Sequence, residues 1–181
     1  VASTVNEILL AEYQIANEKE NSKKAALINS LIDRIRATLI RQTMFAEFEK
    51  DVHLKVESGI TLSADELCDI YYNLNKKYFG EDVVSDDYIK YEWARIPHFY
   101  RPFYVYKYAT GISSAIAIAT RILKGDNEYT NRYINMLKCG GSKDSLDLLK
   151  DVDVNLETTK PVEDAFKYFE EKLQALEDLL N

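Results

Sequence analysis

The chain has 181 residues, and its 30 acidic and 23 basic side chains give a formal net charge of −7. This balance argues against binding to nucleic acid or to an anionic membrane, because phosphate groups are bound by an excess of lysine and arginine. Two cysteines are too few for a disulfide framework and indicate a reducing compartment. No apolar run approaches the roughly 20 residues that a membrane span needs. With only six glycines and three prolines, the composition favours long helices and predicts one all-α unit over residues 1–181.

Periodic apolar residues predict two helices in the first third of the chain, over residues 3–17 and 23–56. The apolar side chains recur at intervals of three and four, which places them on one face of each helix. In the first helix they are Val5, Leu9, Leu10, Tyr13 and Ala16. In the second helix they are Leu27, Leu31, Ile35, Leu39, Phe45, Phe48 and Val52. The charged residues between the two stripes predict a turn.

A serine three residues before a glutamate predicts the start of the next helix. Ser63 and Glu66 can exchange hydrogen bonds as a capping box, and Gly80 is placed to end the helix. The aspartates at positions 86 and 87 then open a shorter helix that runs toward residue 94.

Two prolines, Pro97 and Pro102, predict an irregular stretch over residues 95–101. The following residues, 103–124, are first aromatic and then small and apolar, so we expect a helix that is buried on most sides. A glycine-containing loop at residues 140–142 and a final helix from Pro161 complete the predicted all-α fold.

Few residues carry a recognisable chemical motif. The chain has no HExxH sequence, no glycine-rich phosphate loop and no cysteine pair at zinc spacing. His53 lies among charged residues of a predicted helix and is expected to be a solvated surface histidine. Cys68 and Cys139 are expected to be small buried residues, since neither has a histidine nearby in the sequence.

The most unusual segment surrounds His98. Five of the 13 tyrosines lie within residues 91–108, and the histidine lies between two prolines on a segment that can face a cavity. An imidazole and a phenol can both donate hydrogen bonds to the oxyanion that forms during carbonyl hydrolysis. An aromatic core cluster with its hydroxyls bonded to the backbone would give the same composition. The residues alone leave both interpretations open.

Four stretches of the chain resemble the oligoendopeptidase F family, whose relatives include thimet oligopeptidase. Residues 1–7 are similar to the family segment E-[IV]-A-S-T-x-N-E, and residues 96–111 are similar to its histidine- and tyrosine-rich motif. The second match is the more specific, because the motif is long and unusual in composition. Residues 137–142 and 161–163 follow in the family's order, so the resemblance covers essentially the whole chain.

The resemblance implies a helical bundle that forms the C-terminal half of a zincin-like oligopeptidase catalytic domain. Such an enzyme is a cytoplasmic zinc metalloendopeptidase that hydrolyses short peptides. The family's HExxH helix and the glutamate that ligates zinc would precede Val1, so no zinc ligand is expected in these residues. We therefore expect a fragment that is inactive alone. Its exposed apolar surface would pair with the missing N-terminal part of the enzyme or cause self-association.

The resemblance also assigns roles to five residues. His98 and Tyr106 correspond to the catalytic donors that stabilise the oxyanion, and Tyr100 and Tyr104 to substrate-binding phenols. Glu7 corresponds to a glutamate that hydrogen-bonds a zinc-binding histidine, which orients the imidazole and raises its basicity. None of these residues is expected to bind the metal directly.

The competing hypothesis is a noncatalytic helical module whose tyrosine-rich segment binds a peptide or protein. Tyrosine suits such a surface, because it buries a large area while keeping a polar group. The residues encoded upstream of Val1 discriminate the two hypotheses, since HExxH there would indicate the enzyme.

Overall fold

A computed structural model describes residues 1–181 and contains eight α-helices and no strand, which confirms the all-α prediction. The α-helices are α1 (Ala2–Asn17), α2 (Asn21–Ile35), α3 (Arg41–Glu57), α4 (Ala64–Phe79), α5 (Tyr106–Leu123), α6 (Asn127–Cys139), α7 (Ser145–Lys150) and α8 (Lys160–Leu180). A π-helical segment covers Arg36–Ile40, and 3-10 helices cover Asp87–Arg95 and Pro97–Tyr100. None of the helices combines the length and the apolar character that crossing a membrane requires.

The contacts within the chain concentrate in two compact units. Unit 1 comprises Val1–Arg36 and Thr110–Asn181, and unit 2 comprises Ala37–Ala109. Each unit has its own dense set of internal contacts. One helical unit over residues 1–181 therefore stays a prediction.

Unit 1 is built around α2, which packs against α8 and α1. The stripe predicted on α2 is buried, with Leu31 and Ile35 at most 3% exposed. The stripe predicted on α1 is largely wrong, because Leu10 and Tyr13 are 57% and 67% exposed and the buried residues of this helix are Val5, Ile8 and Ile15. A glutamate on α1, Glu12, accepts hydrogen bonds from α8.

The part of α5 that belongs to unit 1 is buried on several sides, including Ile116 and Ala119, which confirms the small apolar half of the buried helix predicted over residues 103–124. The aromatic half differs, because α5 begins only at Tyr106, and Tyr106 and Tyr108 are 47% and 37% exposed.

Unit 2 has an aromatic core. Helix α3 packs against α4, and α4 packs against the 3-10 helix Asp87–Arg95. The buried core residues are Met44, Phe45, Phe48, Tyr71, Leu74, Ile96 and Val105. The capping box predicted for α4 is confirmed, because Ser63 and Glu66 exchange hydrogen bonds between side chain and backbone in both directions.

Several helical segments differ from the sequence expectations. The helix predicted over residues 23–56 contains the π-helical segment Arg36–Ile40, a change of hydrogen-bond register that apolar spacing does not reveal. The helix predicted from Asp86 is a 3-10 helix, and a short 3-10 helix lies within the stretch expected to be irregular. Helices α6 and α7 were not predicted, although Asp126 and Asp144 cap them by accepting backbone hydrogen bonds.

Candidate functional site

The segment that carries His98 is anchored in unit 2 at both of its ends. Ile96 and Val105 are 8% and 1% exposed and belong to the aromatic core. Pro97 starts the 3-10 helix in which His98 lies, since proline favours the first position of a helix. The side chains between the two anchors are therefore held near the surface on a short, fixed segment, with His98 half-buried.

His98 lies in contact with two tyrosines. Its Nε2 atom is 3.1 Å from the hydroxyl oxygen of Tyr108, and its ring stacks on that of Tyr104 with centroids 5.6 Å apart. The Tyr104 and Tyr108 rings meet edge to face, also with centroids 5.6 Å apart. We refer to His98, Tyr104 and Tyr108 as the His–Tyr cluster.

The surroundings of Tyr108 favour its neutral phenol. Burial, followed by a hydrogen bond with Tyr104, raises the pKa of Tyr108 above its usual value. A raised pKa means that the phenol keeps its proton at neutral pH. The cluster therefore presents hydrogen-bond donors, and imidazole and phenol can share one proton along the Nε2–hydroxyl contact.

The predicted site residues of unit 2 occupy different positions around this cluster. Tyr104 belongs to it, whereas Tyr100 is 79% exposed on the short 3-10 helix. Tyr106 is about half exposed and is the first residue of α5. Residues two positions apart on a helix point in directions that differ by about 160°. Tyr106 and Tyr108 therefore leave α5 on different faces.

Tyr108 is the cluster member to which the sequence assigned no role. The sequence does contain a feature that points to Tyr108: it lies four residues after Tyr104, the spacing of neighbours on one helix face. The assignment by resemblance gave weight to Tyr106 instead. Contact with His98 could not be deduced from spacing, since Tyr104 precedes α5 and His98 lies on a separate 3-10 helix.

Glu7 lies in unit 1, on α1. Its carboxylate is hydrogen-bonded to the guanidinium of Arg34 on α2, and both side chains are about half exposed. The two residues line a surface pocket together with Leu10, Gln14 and Leu31. The arginine fixes the direction of the carboxylate and leaves part of it open to solvent.

A buried carboxylate, Glu92, stabilises the 3-10 helix that precedes His98. It accepts hydrogen bonds from the Tyr71 hydroxyl at 2.6 Å, from Arg41 at 2.5 Å and from Arg95 at 2.6 Å. Burial, together with the hydrogen bond to Glu92, raises the pKa of Tyr71. A buried charge with this number of donors is satisfied, so Glu92 acts as a structural anchor.

The two histidines and two cysteines do not form a metal centre. No group of three or more histidine, cysteine, aspartate or glutamate side chains in the chain is placed to hold a metal ion. Cys68 is buried as expected, whereas Cys139 is partly exposed. His53, expected at the surface, is half-buried with its ring 4.8 Å from that of Phe103.

Comparisons with known proteins agree with the resemblance seen in the sequence. The model of peptidase family M3 matches residues 1–168. Oligopeptidase PepF of Bacillus subtilis is 47% identical over 180 residues, covering 99% of this chain and 27% of the relative. The chromosomal oligoendopeptidase F of Lactococcus lactis subsp. cremoris is 40% identical over 180 residues, covering 99% of this chain and 30% of the relative.

A solved structure shows the same fold. The crystal structure of oligoendopeptidase-F from Enterococcus faecium superposes with a TM-score of 0.94 at 41% identity. The match covers 99% of this chain and 34% of that one. The chain thus spans about a third or less of the length of the proteins it matches.

Proposed function

Because the chain belongs to peptidase family M3, we propose that it supplies the oxyanion-stabilising and substrate-binding side chains of a zinc metalloendopeptidase that cleaves short peptides. The observation that carries the proposal is the contact between His98 and the hydroxyl of Tyr108, beside a segment anchored in the aromatic core by Ile96 and Val105. The family match favours this function over a noncatalytic interaction module. The intact enzyme is proposed to act in the cytoplasm, in keeping with two free cysteines.

The cluster's chemistry suits the charge that develops during peptide hydrolysis. Attack on a peptide carbonyl places negative charge on its oxygen, and fixed donors aimed at that oxygen lower the barrier. When Nε2 of His98 donates to the oxygen of Tyr108, the phenolic proton of Tyr108 is proposed to turn from Tyr104 to the substrate oxygen. When His98 is doubly protonated, its imidazolium stabilises the same charge directly.

The division of roles among the tyrosines is part of the proposal. Tyr106 remains the proposed oxyanion donor on the basis of the resemblance, and Tyr108 is added as a donor because its hydroxyl lies beside His98. Tyr100 and Tyr104 are proposed to contact the peptide, since exposed phenols on a fixed segment offer both apolar area and a hydrogen bond.

On the basis of the resemblance, the zinc is proposed to be held by a part of the enzyme outside these 181 residues. When bound, zinc polarises the carbonyl and generates a nucleophilic hydroxide from water at neutral pH. Glu7, directed by Arg34, is proposed to hydrogen-bond a zinc-binding histidine. The isolated chain is accordingly proposed to be inactive.

Substitution of His98 in the intact enzyme tests this function. We expect His98→Gln to lower kcat on a quenched fluorescent peptide on the order of 100-fold or more, the usual cost of losing one oxyanion donor. Its zinc content and melting temperature should stay near those of the parent. An unchanged kcat would exclude His98 from the chemistry, and loss of zinc would indicate a role in the metal site instead.

A further inference from the structure

Glu49 is a buried carboxylate on α3 that bonds to the loop of the candidate site. It is 5% exposed, and its Oε1 atom accepts a hydrogen bond from the backbone N–H of Phe103 at 2.7 Å. A buried charge is tolerated only when hydrogen bonds replace its hydration. A carboxylate that accepts from a backbone amide forms one of the stronger protein hydrogen bonds.

Phe103 has a backbone conformation that its side chain disfavours. Its φ angle is +59°, in the left-handed region, where a bulky residue is rarely found. A loop with phenylalanine at this position does not adopt the conformation by preference. Contacts from elsewhere must hold it there.

Helix α3 supplies two such contacts from one face. Glu49 and His53 are four residues apart and therefore neighbours on the helix surface. Glu49 holds the Phe103 amide, and the His53 ring lies 4.8 Å from the Phe103 ring. The backbone and the side chain of one loop residue are thus both held by α3.

The next residue along the chain is Tyr104, which stacks on His98 and meets Tyr108 edge to face. If Phe103 relaxed to a negative φ, the peptide between residues 103 and 104 would rotate and carry the Tyr104 ring away from His98. We propose that Glu49 is a positioning residue, which holds Phe103 in its left-handed conformation and so keeps the His–Tyr cluster assembled. Its effect on turnover rests on the proposed peptidase function.

The other hydrogen-bonded carboxylates of unit 2 do not share this role. Glu92 bonds Tyr71, Arg41 and Arg95. Glu47 lies on the same helix as Glu49 and accepts hydrogen bonds from Lys77 and Tyr78. Glu47 is therefore a matched control, because a change there also perturbs a bonded carboxylate of α3 without touching the loop.

The test separates the reach of the side chain from its charge. Glu49→Gln keeps the length and an oxygen that can accept from Phe103, whereas Glu49→Asp keeps the charge and is one methylene shorter. In the intact enzyme we expect Glu49→Asp to lower kcat about 10- to 100-fold, as misplacement by about 1 Å can do. Glu49→Gln should stay within about threefold, and the control Glu47→Asp should leave kcat unchanged.

A second readout follows the cluster itself. Carbon-13-labelled histidine reports the ring-current shift of His98, assigned with His98→Gln. We expect Glu49→Asp to move this signal and Glu49→Gln to preserve it. If the signal moves while kcat is unchanged, Glu49 positions the cluster but the proposed role of the cluster in hydrolysis is wrong.

Two outcomes would overturn the proposal. One is a His98 signal that stays in place in Glu49→Asp. The other is a lower kcat for Glu49→Gln than for Glu49→Asp, which would show that charge matters and reach does not. If Glu49→Asp fails to fold, Glu49→Leu, which keeps most of the volume and has no acceptor, takes its place. A His98 signal that moves in Glu49→Leu and stays in place in Glu49→Gln supports positioning, and a signal that stays in place in both refutes it.

Discussion

Each compact unit contains one residue other than glycine in the left-handed backbone region, and the two are held in different ways. In unit 1, Asp153 has a φ angle of +56°, and its own carboxylate binds Arg121 and Arg132. In unit 2, Phe103 has a φ angle of +59°, and its backbone amide is held by Glu49. Aspartate tolerates this region because its short polar side chain bonds locally, whereas phenylalanine does not.

The contrast fits a structural loop in unit 1 and the proposed functional loop in unit 2. At Asp153 the residue type agrees with the backbone, and the ion pairs add to a conformation that the sequence already favours. At Phe103 the residue type disfavours the left-handed backbone conformation, and the buried carboxylate of Glu49 imposes it. Disfavoured backbone conformations concentrate at functional sites, and Phe103 directly precedes a member of the His–Tyr cluster.

The largest expected effect tests whether the loop beside Phe103 serves catalysis. In the intact enzyme, Tyr106→Phe and Tyr108→Phe each remove one hydroxyl and leave the ring, so stability should change little. For the tyrosine that donates to the oxyanion, kcat and kcat/KM should fall together on the order of 100- to 1,000-fold, or about 2.7–4 kcal/mol. Steady-state kinetics on a quenched fluorescent peptide measures this loss.

Matched controls accompany these variants. Tyr88→Phe changes a phenol that is 81% exposed and outside the cluster, and it should leave both constants unchanged. Tyr100→Phe and Tyr104→Phe should raise KM more than they lower kcat. Full turnover in both Tyr106→Phe and Tyr108→Phe would leave the aromatic segment with a packing role only and end the contrast between the two loops.

The next largest effect is expected for Glu92, a buried carboxylate of unit 2 with a structural role alone. Glu92→Leu leaves the hydroxyl of Tyr71 buried without its acceptor and two arginines without their partner. Removing one member of a buried charged network typically costs 3–5 kcal/mol, and the partial exposure of both arginines points to about 3 kcal/mol here. Urea unfolding should show this loss, and a free energy of unfolding within about 0.5 kcal/mol of the parent would contradict it.

The ion pairs of Asp153 should give unit 1 a pH-dependent stability. The two arginines hold the pKa of Asp153 at about 2, below its usual 3.8. A lowered pKa in the folded state means that the contribution is present above pH 3.8 and is lost as the pH falls toward 2. Because the side chain is 46% exposed, solvent limits the contribution to at most about 1 kcal/mol.

Asp153→Asn provides the comparison for this pH effect. Asparagine also tolerates the left-handed region, so the loop should keep its conformation while losing the titrating group. Urea unfolding between pH 5 and pH 2.5 should show a smaller decrease in stability for the variant than for the parent. Parallel curves for the two proteins would show that the ion pairs do not stabilise unit 1.

Much of the fold could be predicted from the sequence, because the position of each helix depends mainly on residues that are close together in the chain. The stripe of α2, the Ser63 capping box and the apolar centre of α5 each follow from residues within one helix, whereas the stripe predicted on α1 was wrong at Leu10 and Tyr13. The π-helical segment Arg36–Ile40 could not be predicted, since a register change leaves the apolar spacing almost unaltered.

The candidate site shows the same limit. Its segment was identified by composition and resemblance, and His98 and Tyr104 lie together as members of one cluster. The contact of Tyr108 with His98 and the bond from Phe103 to Glu49 join residues 10 and 54 positions apart. Such residues come together only in the folded chain, where Phe45 and Phe48 of α3 pack on Phe99 of the 3-10 helix Pro97–Tyr100.

The smallest expected effect bears directly on the two left-handed residues. Glycine adopts this backbone region freely but costs about 0.5–1 kcal/mol more conformational entropy on folding. At Phe103, glycine relieves the disfavoured conformation, which is worth about 1–2 kcal/mol. This gain should offset the entropy cost and the lost contact with His53, so the free energy of unfolding of Phe103→Gly should lie within about 0.5 kcal/mol of the parent's. At Asp153, the ion pairs are lost and little is relieved, so Asp153→Gly should be destabilising by about 1 kcal/mol. Urea unfolding of the two variants under the same conditions measures this difference. If Phe103→Gly is the more destabilising, the backbone of Phe103 is not strained, and Glu49 is not needed to hold it in the left-handed conformation.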